Sequence, residues 1–242
     1  MYSWLIRGRV TVVVAIAAVA AGAGGTALAV GASSPPHVVS MPTAGRTQAA
    51  LKVTSGTPVL DISVARLDGT LLQVSTPASA PVRPVLSGSA PILLSLAGDK
   101  PAPGRGQDTE YAVRVVLNSV VTWSLDLAGG TQRTDADLRG GKVGGIAVTA
   151  GSDILDVSLP LPTGNLPLLF AGGASQFLLS LPGGVPAQVR VDGGAAFLRV
   201  DGQSLTGVAG GTVLATPGWA TARSRFDVIA TAGVSRLTIS RW

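Results

Sequence analysis

Four stretches decide how this chain reads: "LAGGTQRTDADLRGG" at 127–141, "TAGSDILDVSLPLPTG" at 149–164, "FAGGASQFLLSLPGG" at 170–184 and "VDGGAAFLRVDG" at 191–202. Each holds a small residue, a glycine step, a polar position and a strand-like run. The small residues at the steps are Ala128, Ala150, Ala171, Asp192 and Ala232, at intervals of 22, 21, 21 and 40 residues, the last close to two periods. A fixed period of this length is the mark of a repeat architecture. The step missing near position 212 falls on "AGGTVLATPG" (209–218), which reads as a degraded rung.

Alternation supplies the local structure. In Val59–Arg66 the residues Leu60, Ile62 and Val64 share one face, and no stretch after Ala50 holds a 3.6-residue period over the length of a helix. The expected fold is all-β: a stacked, β-solenoid-like repeat with rungs of ~21 residues, about two strands and two turns each. Gly129, Gly130, Gly151, Gly172, Gly173, Gly193, Gly194 and Gly233 are the expected rung turns, through positive φ or close backbone approach. Pro160, Pro182 and Pro186 read as strand ends, and Asp68-Gly69 as a hairpin turn.

Composition suits thin β layers. Glycine is 32 of 242 residues, charged residues are 13% and aromatics 4%, so Val, Leu, Ile and Ala must fill the core. There is no cysteine, which removes disulfides, thiolate metal sites, cysteine nucleophiles and a lipoprotein anchor. The net charge of +5 is scattered, with no basic stripe interleaved with aromatics, so no nucleic-acid partner is expected.

The opening sets the expected location. Arg7 and Arg9 precede an uncharged run, Val10 to Gly31, long enough to span a bilayer as a helix. No positive charge follows until Arg46, so the positive-inside rule places the N-terminus in the cytoplasm and the rest outside. Two readings stay open: an uncleaved signal anchor, and a cleaved signal peptide with Ala27 and Ala29 as the signal-peptidase site. The expected organisation is therefore 1–9 cytoplasmic, 10–31 membrane helix or signal peptide and 32–50 a Pro/Ser-rich tether. Then come 51–108, a loosely assigned β region containing a loop at 98–108, and 109–242, the β-rung repeat domain. The expected partners are the membrane, through the N-terminal helix, and another envelope protein or a wall polymer.

Sites for chemistry are few. The single histidine, His37, lies in the expected tether. "GGKVGG" (140–145) lacks the phosphate-loop pattern and leads into a strand. There is no G-x-S-x-G elbow, and Lys52, Lys100 and Lys142 sit in no S-x-x-K motif. Asp126, Asp135, Asp137, Asp153 and Asp156 fall within thirty residues, as turn or surface carboxylates, a calcium site or a hydrolytic pair. Trp219 and Trp242 are the candidates for a sugar-binding face. No enzyme activity, cofactor or metal is expected.

Residues 115–242 resemble the toast-rack domains at the C-terminus of LiaF-type bacterial envelope proteins. The matching pieces are the Trp123 strand before Gly129-Gly130, the Asp137-Leu138 step, "LPLPTG" (159–164), "GGAS" (172–175), "PGGVPAQVRV" (182–191) and "SRFDVIATAGVSRLTIS" (224–240). The resemblance implies an exported, non-enzymatic, β-solenoid-like domain, and in some members a regulator of envelope-stress signalling. It departs from LiaF-type regulators in showing at most one expected membrane helix where they carry several.

Overall fold

The computed structural model describes residues 35–98 and 111–242, so the expected membrane segment at 10–31, Arg7, Arg9, Ala27, Ala29 and nearly all of the expected loop at 98–108 lie outside the described residues. The described chain is all β. Its strands form two sheets, one of 10 strands and one of 9. Among the described residues, no helix is long and apolar enough to cross a membrane.

The repeating unit is a strand in the shorter sheet, a corner, and a strand in the longer sheet. In chain order these pairs are β2 (Gln48–Val53) with β3 (Thr57–Ala65), then, after β4 (Thr70–Thr76) and β5 (Val82–Ser87), β6 (Ile92–Gly98) with β7 (Ala112–Asn118). There follow β8 (Thr122–Leu127) with β9 (Thr131–Asp137), β10 (Lys142–Val148) with β11 (Ser152–Ser158), β12 (Asn165–Phe170) with β13 (Ala174–Leu181), and β14 (Ala187–Val191) with β15 (Ala195–Val200). After β16 (Gln203–Val208) and β17 (Thr212–Ala215), the last pair is β18 (Arg225–Ala230) with β19 (Val234–Arg241); β1 (His37–Pro42) precedes them all.

Both sheets stack the pairs in the same order: β6/β7, β2/β3, β8/β9, β10/β11, β12/β13, β18/β19, β14/β15, with every neighbour parallel. Spatial order thus departs from chain order at both ends, in mirror fashion. At one end β6/β7 lies outside the earlier β2/β3. At the other the last pair, β18/β19, enters between β12/β13 and β14/β15. Each outermost pair is closed by antiparallel strands: β5 on β6, β4 on β7 with β1 beyond it, β17 on β14 and β16 on β15.

This topology corrects several expectations. Residues 32–50 are no tether throughout, because β1 and β2 occupy 37–42 and 48–53. His37 is the first residue of β1, Leu51 and Val53 belong to the core, and Val39 and Ala49, partly buried, pack against it. Residues 51–98 share both sheets with the rest, so they extend the same stack. The segment 209–218 is no degraded rung: its β17 pairs antiparallel with β14 as a cap. Asp68-Gly69 joins β3 and β4, which are not paired, since β7 lies between them; only Gly69 has positive φ. The two-residue hairpin is at Asp201-Gly202, with φ of 47° and 90°, closing Val200 against Gln203.

Register makes the core a set of columns. One runs Val113, Leu60, Thr134, Leu155, Phe177, Leu237, Leu198 through the longer sheet. Facing it, Ile92, Leu51, Leu125, Ile146, Leu168, Val228 and Val189 run through the shorter one. All are buried. Parallel in-register stacking puts the same inward position of every rung over its neighbour, so Val, Leu and Ile close most of the interior, with Trp123, Phe170, Phe177 and Phe226 as the buried rings. Thr134 is the polar member of its column. Its hydroxyl is held 2.8 Å from that of Thr131, which donates at 2.9 Å to Ser152, which donates to the Ile154 carbonyl.

The corner between the sheets is a glycine stack built by close approach. Gly129, Gly130, Gly151, Gly172, Gly173, Gly193 and Gly233 all lack positive φ; of the expected rung turns only Gly194 has it, at 79°. Across this corner Thr57, Thr131 and Ser152 each donate a backbone N–H at 3.1 Å to the carbonyls of Gly130, Gly151 and Gly173 on the next rung. A Cβ on Gly172 would lie 1.9 Å from the Ala150 carbonyl oxygen, and one on Gly129 would lie 2.0 Å from that of Ser55. Pro160 and Pro182 follow the ends of β11 and β13, and Pro186 precedes β14, where no ladder donor is lost.

Candidate functional site: the outer face of the longer sheet

With inward positions filled by apolar columns, each strand's alternate residues stand in columns on the outside. On the longer sheet one column reads Arg114, Asp61, Asp135, Asp156, Leu178, Thr238, Arg199. Two residues earlier along the strands stands Val59, Arg133, Ile154, Gln176, Arg236, Phe197; two later stands Ser63, Asp137, Ser158, Ser180, Ser240. Parallel strands lie about 4.8 Å apart. The face is therefore an array of carboxylates, hydroxyls and guanidiniums at strand spacing, interrupted by Val59, Ile154, Leu178 and Phe197. Carboxylates gather on β3, β9 and β11, and arginines stand among and beyond them: Arg114 on β7, Arg133 on β9, Arg236 on β19 and Arg199 on β15.

Ion pairs hold most of the carboxylates. Arg133 binds Asp135 through two bonds, of 2.7 and 3.0 Å, and Arg139 binds Asp137 through bonds of 2.9 and 2.7 Å. Arg114 Nε lies 3.6 Å from Asp61. These pairs are open to solvent, so each contributes little to stability. The hydrogen bond from Arg139 lowers the Asp137 pKa below the ordinary carboxylate value. Asp156 is the exception. Among the described residues it has no ion-pair partner, and partial burial, followed by the neighbouring charge of Asp135, raises its pKa against the weaker pull of Arg133.

A prediction follows from these two signs. Asp156→Asn removes a like charge beside Asp135 and is expected to stabilise the fold at pH 7 by about 0.5 kcal/mol. Asp156 binds its proton more tightly folded than unfolded, so its unfavourable contribution fades as pH falls through its raised pKa. The gain from the variant should shrink on the same acid limb. Asp137→Asn should instead lose stability at neutral pH, with the loss shrinking as pH falls below the ordinary Asp value and gone only below the lowered folded one, because Asp137 is depressed. Urea denaturation at pH 7 and pH 3.5 checks both; equal effects at the two pH values would contradict the assignment.

The five carboxylates singled out in the sequence do not form one group. Asp135, Asp137 and Asp156 share the outer face of the longer sheet, and Asp153 is exposed near the start of β11. Asp126 lies on the shorter sheet, where it takes a 2.6 Å ion pair from its register partner Lys52. Among the described residues no group of three or more His, Asp or Glu is arranged to hold a metal ion. Two open depressions among the described residues, of about 350 and 520 Å³, contain neither Asp135 nor Asp156. The first is lined by Thr131, Ser152, Asp153 and Ser175, the second by Arg199, Asp201, Thr238, Ser240 and Arg241. Asp135 and Asp156 stand side by side on an open face, with no cleft to enclose a scissile bond.

The tryptophans divide. Trp219 is partly buried, donates from Nε1 to the Phe226 carbonyl at 2.8 Å and lies under the Arg225 guanidinium at 4.6 Å, so its ring is engaged by its own chain. Trp242 is 50% exposed. The sequence did not single out Phe197, which lies on the outer face under Arg236 at 4.9 Å. Its place outside was legible from alternation with the buried Leu198 and Val200.

Comparison with known proteins adds a fold likeness. The chain superposes on a candidate cell adhesion protein from Clostridium sporogenes. The TM-score is 0.68 at 17% identity, covering 86% of this chain and 99% of that one. Candidate adhesins from Bacteroides fragilis and Parabacteroides merdae align over 84% and 83% of this chain and 97% and 96% of theirs, at 12% and 10% identity with TM-scores of 0.23 and 0.21. At these identities the first likeness shows a shared fold, and the other two are too weak to carry weight. No family model matches the chain, and no curated protein matches it.

Proposed function

We propose that this chain is a non-enzymatic binding or scaffolding domain of the bacterial cell envelope, displayed outside the membrane and carried by its N-terminal segment. The observation that supports this most directly is the outer face of the longer sheet. It is a regular, largely polar array, open around Asp135 and Asp156, suited to an extended partner with repeating hydrogen-bonding groups, such as a wall polymer. The fold likeness to a candidate cell adhesion protein agrees with a binding role. The charge run Arg7, Arg9 and the uncharged 10–31 supply the expected export route, and either an anchored or a released form is compatible with it. No observation favours a LiaF-type regulator over this reading.

The test is protease shaving of intact host cells together with co-sedimentation of the full chain with insoluble wall material. The expected result is a domain cleaved from outside in intact cells and retained by the wall pellet. Asp135→Lys with Asp156→Lys should shift retention by tenfold or more. A chain protected from external protease, or sugar release from the wall material by the purified chain, would overturn the proposal.

A further inference from the structure

We propose that two copies of this chain associate through β16, edge to edge and antiparallel, joining their longer sheets across a two-fold axis. A stacked sheet must end in strands with unpaired backbone groups, and such edges pair with other chains unless blunted. Three of the four ends are blunted here. β5 carries Pro84 within the strand, β1 is bracketed by Pro36 and Pro42, and β17 has only 4 residues. β16, "QSLTGV", has neither proline nor charge; Gln203 to Gly207 are exposed, and among the described residues no strand pairs its outer side.

Its register is self-complementary. The turn at Asp201-Gly202 is closed by Val200 and Gln203, the bonded pair of a two-residue hairpin. Alternation then makes Leu198–Leu205 bonded and leaves Arg199–Ser204 and Phe197–Thr206 unbonded. The N–H and C=O of Ser204 and Thr206 therefore point away from β15. Centring a second β16 on Leu205 sets Ser204 opposite Thr206 of the copy, where both exchange backbone bonds. It also sets Leu205 against Leu205 of the copy. Leu205 is 40% exposed and ends the column Phe177, Leu237, Leu198, so the two cores would continue into each other. No charge meets its own image in this register, and Gly207, at φ 59°, ends the paired run. A contact of one strand per copy belongs to the small, transient class.

Light scattering of the full chain from about 1 μM to about 1 mM tests this, with amide hydrogen exchange at the two extremes. The expected result is a mass rising toward twice the monomer, with Ser204 and Thr206 amides slowed at least tenfold at the high end. Thr206→Pro removes an outward N–H and spares the ladder to β15, so it should stay monomeric with an unchanged melting temperature. Thr206→Ala should still dimerise. Leu205→Glu, which opposes like charges across the axis, should also be monomeric. A wild type that stays monomeric throughout overturns the proposal, whether its β16 amides exchange fast or are protected by the chain's own segment. So does a dimer that survives Thr206→Pro with fast-exchanging β16 amides.

Discussion

Gly172→Ala is expected to be among the most damaging added methyls at the described glycines, costing about 3 kcal/mol or more. The Cβ would stand 1.9 Å from the Ala150 carbonyl oxygen and 2.3 Å from its carbon. Both are backbone atoms of the neighbouring rung, and neither can swing aside. The corner carries continuous inter-rung bonds: Ala171 and Gly172 donate to the Val148 carbonyl at 2.8 and 3.0 Å, and Ser152 donates to Gly173. Relief must therefore open two rungs together. In a chain of this size the loss should lower the melting temperature by roughly 6–12 °C. Gly164→Ala is the control, because nothing lies within 4 Å of its Cβ and its φ is not positive. If thermal denaturation placed both variants within 2 °C of wild type, the close approach at the corner would be wrong.

Trp123→Ala should cost about 3–5 kcal/mol. Trp123 is the largest fully buried side chain, in a core whose other members are mostly Val, Leu and Ile. It sits in register between Ala49 and Val143, where small neighbours leave room for the indole. Its Nε1 donates at 3.0 Å to the Asn118 carbonyl, at the end of β7. Asn118 in turn donates to the carbonyls of Leu67 and Thr70, so this ring and amide tie the outermost rung to the loop before β4. Removing the indole opens a cavity and leaves that carbonyl without its donor. Trp123→Phe keeps most of the volume and loses the bond, for about 1–2 kcal/mol. Chemical denaturation of both variants checks the ranking; equal losses would mean that the bond, and not the packing, dominates.

The middle of this fold was legible in the sequence and the ends were not, for physical reasons. Between Leu127 and Val200 each rung repeats one demand, a glycine where neighbouring backbones meet, followed by apolar alternation. That demand leaves a period in the sequence. Asp135 and Asp156 are 21 residues apart, one rung, so their adjacency could be read directly. Asp126 precedes the glycine step, which puts it on the other sheet.

The order of rungs in space left no such trace. β19 pairs with β13 and β15 by matching apolar columns that are alike on every rung, so the 40-residue interval allowed either arrangement. At the N-terminus, β1 and β2 have only 6 residues each and lie among Pro, Ser, Thr and Ala, so Val38, Val39, Leu51 and Val53 leave no long alternating run. The Asp-Gly rule fails at Asp68, which has no positive φ, and holds at Asp201-Gly202.

The central claim is that the last rung lies inside the stack, with β19 between β13 and β15. The chain has no cysteine, so paired substitutions report on it cleanly. Gln176 and Arg236 are register partners, both exposed on the outer face, while Gln176 and Phe197 have a strand between them. Adjacent strands are about 4.8 Å apart and next-nearest strands about twice that, beyond the reach of a disulfide. Under mild oxidation, Gln176→Cys with Arg236→Cys should form an intramolecular disulfide, and Gln176→Cys with Phe197→Cys should not. A disulfide in the second pair and none in the first would place β15 against β13 and contradict the account.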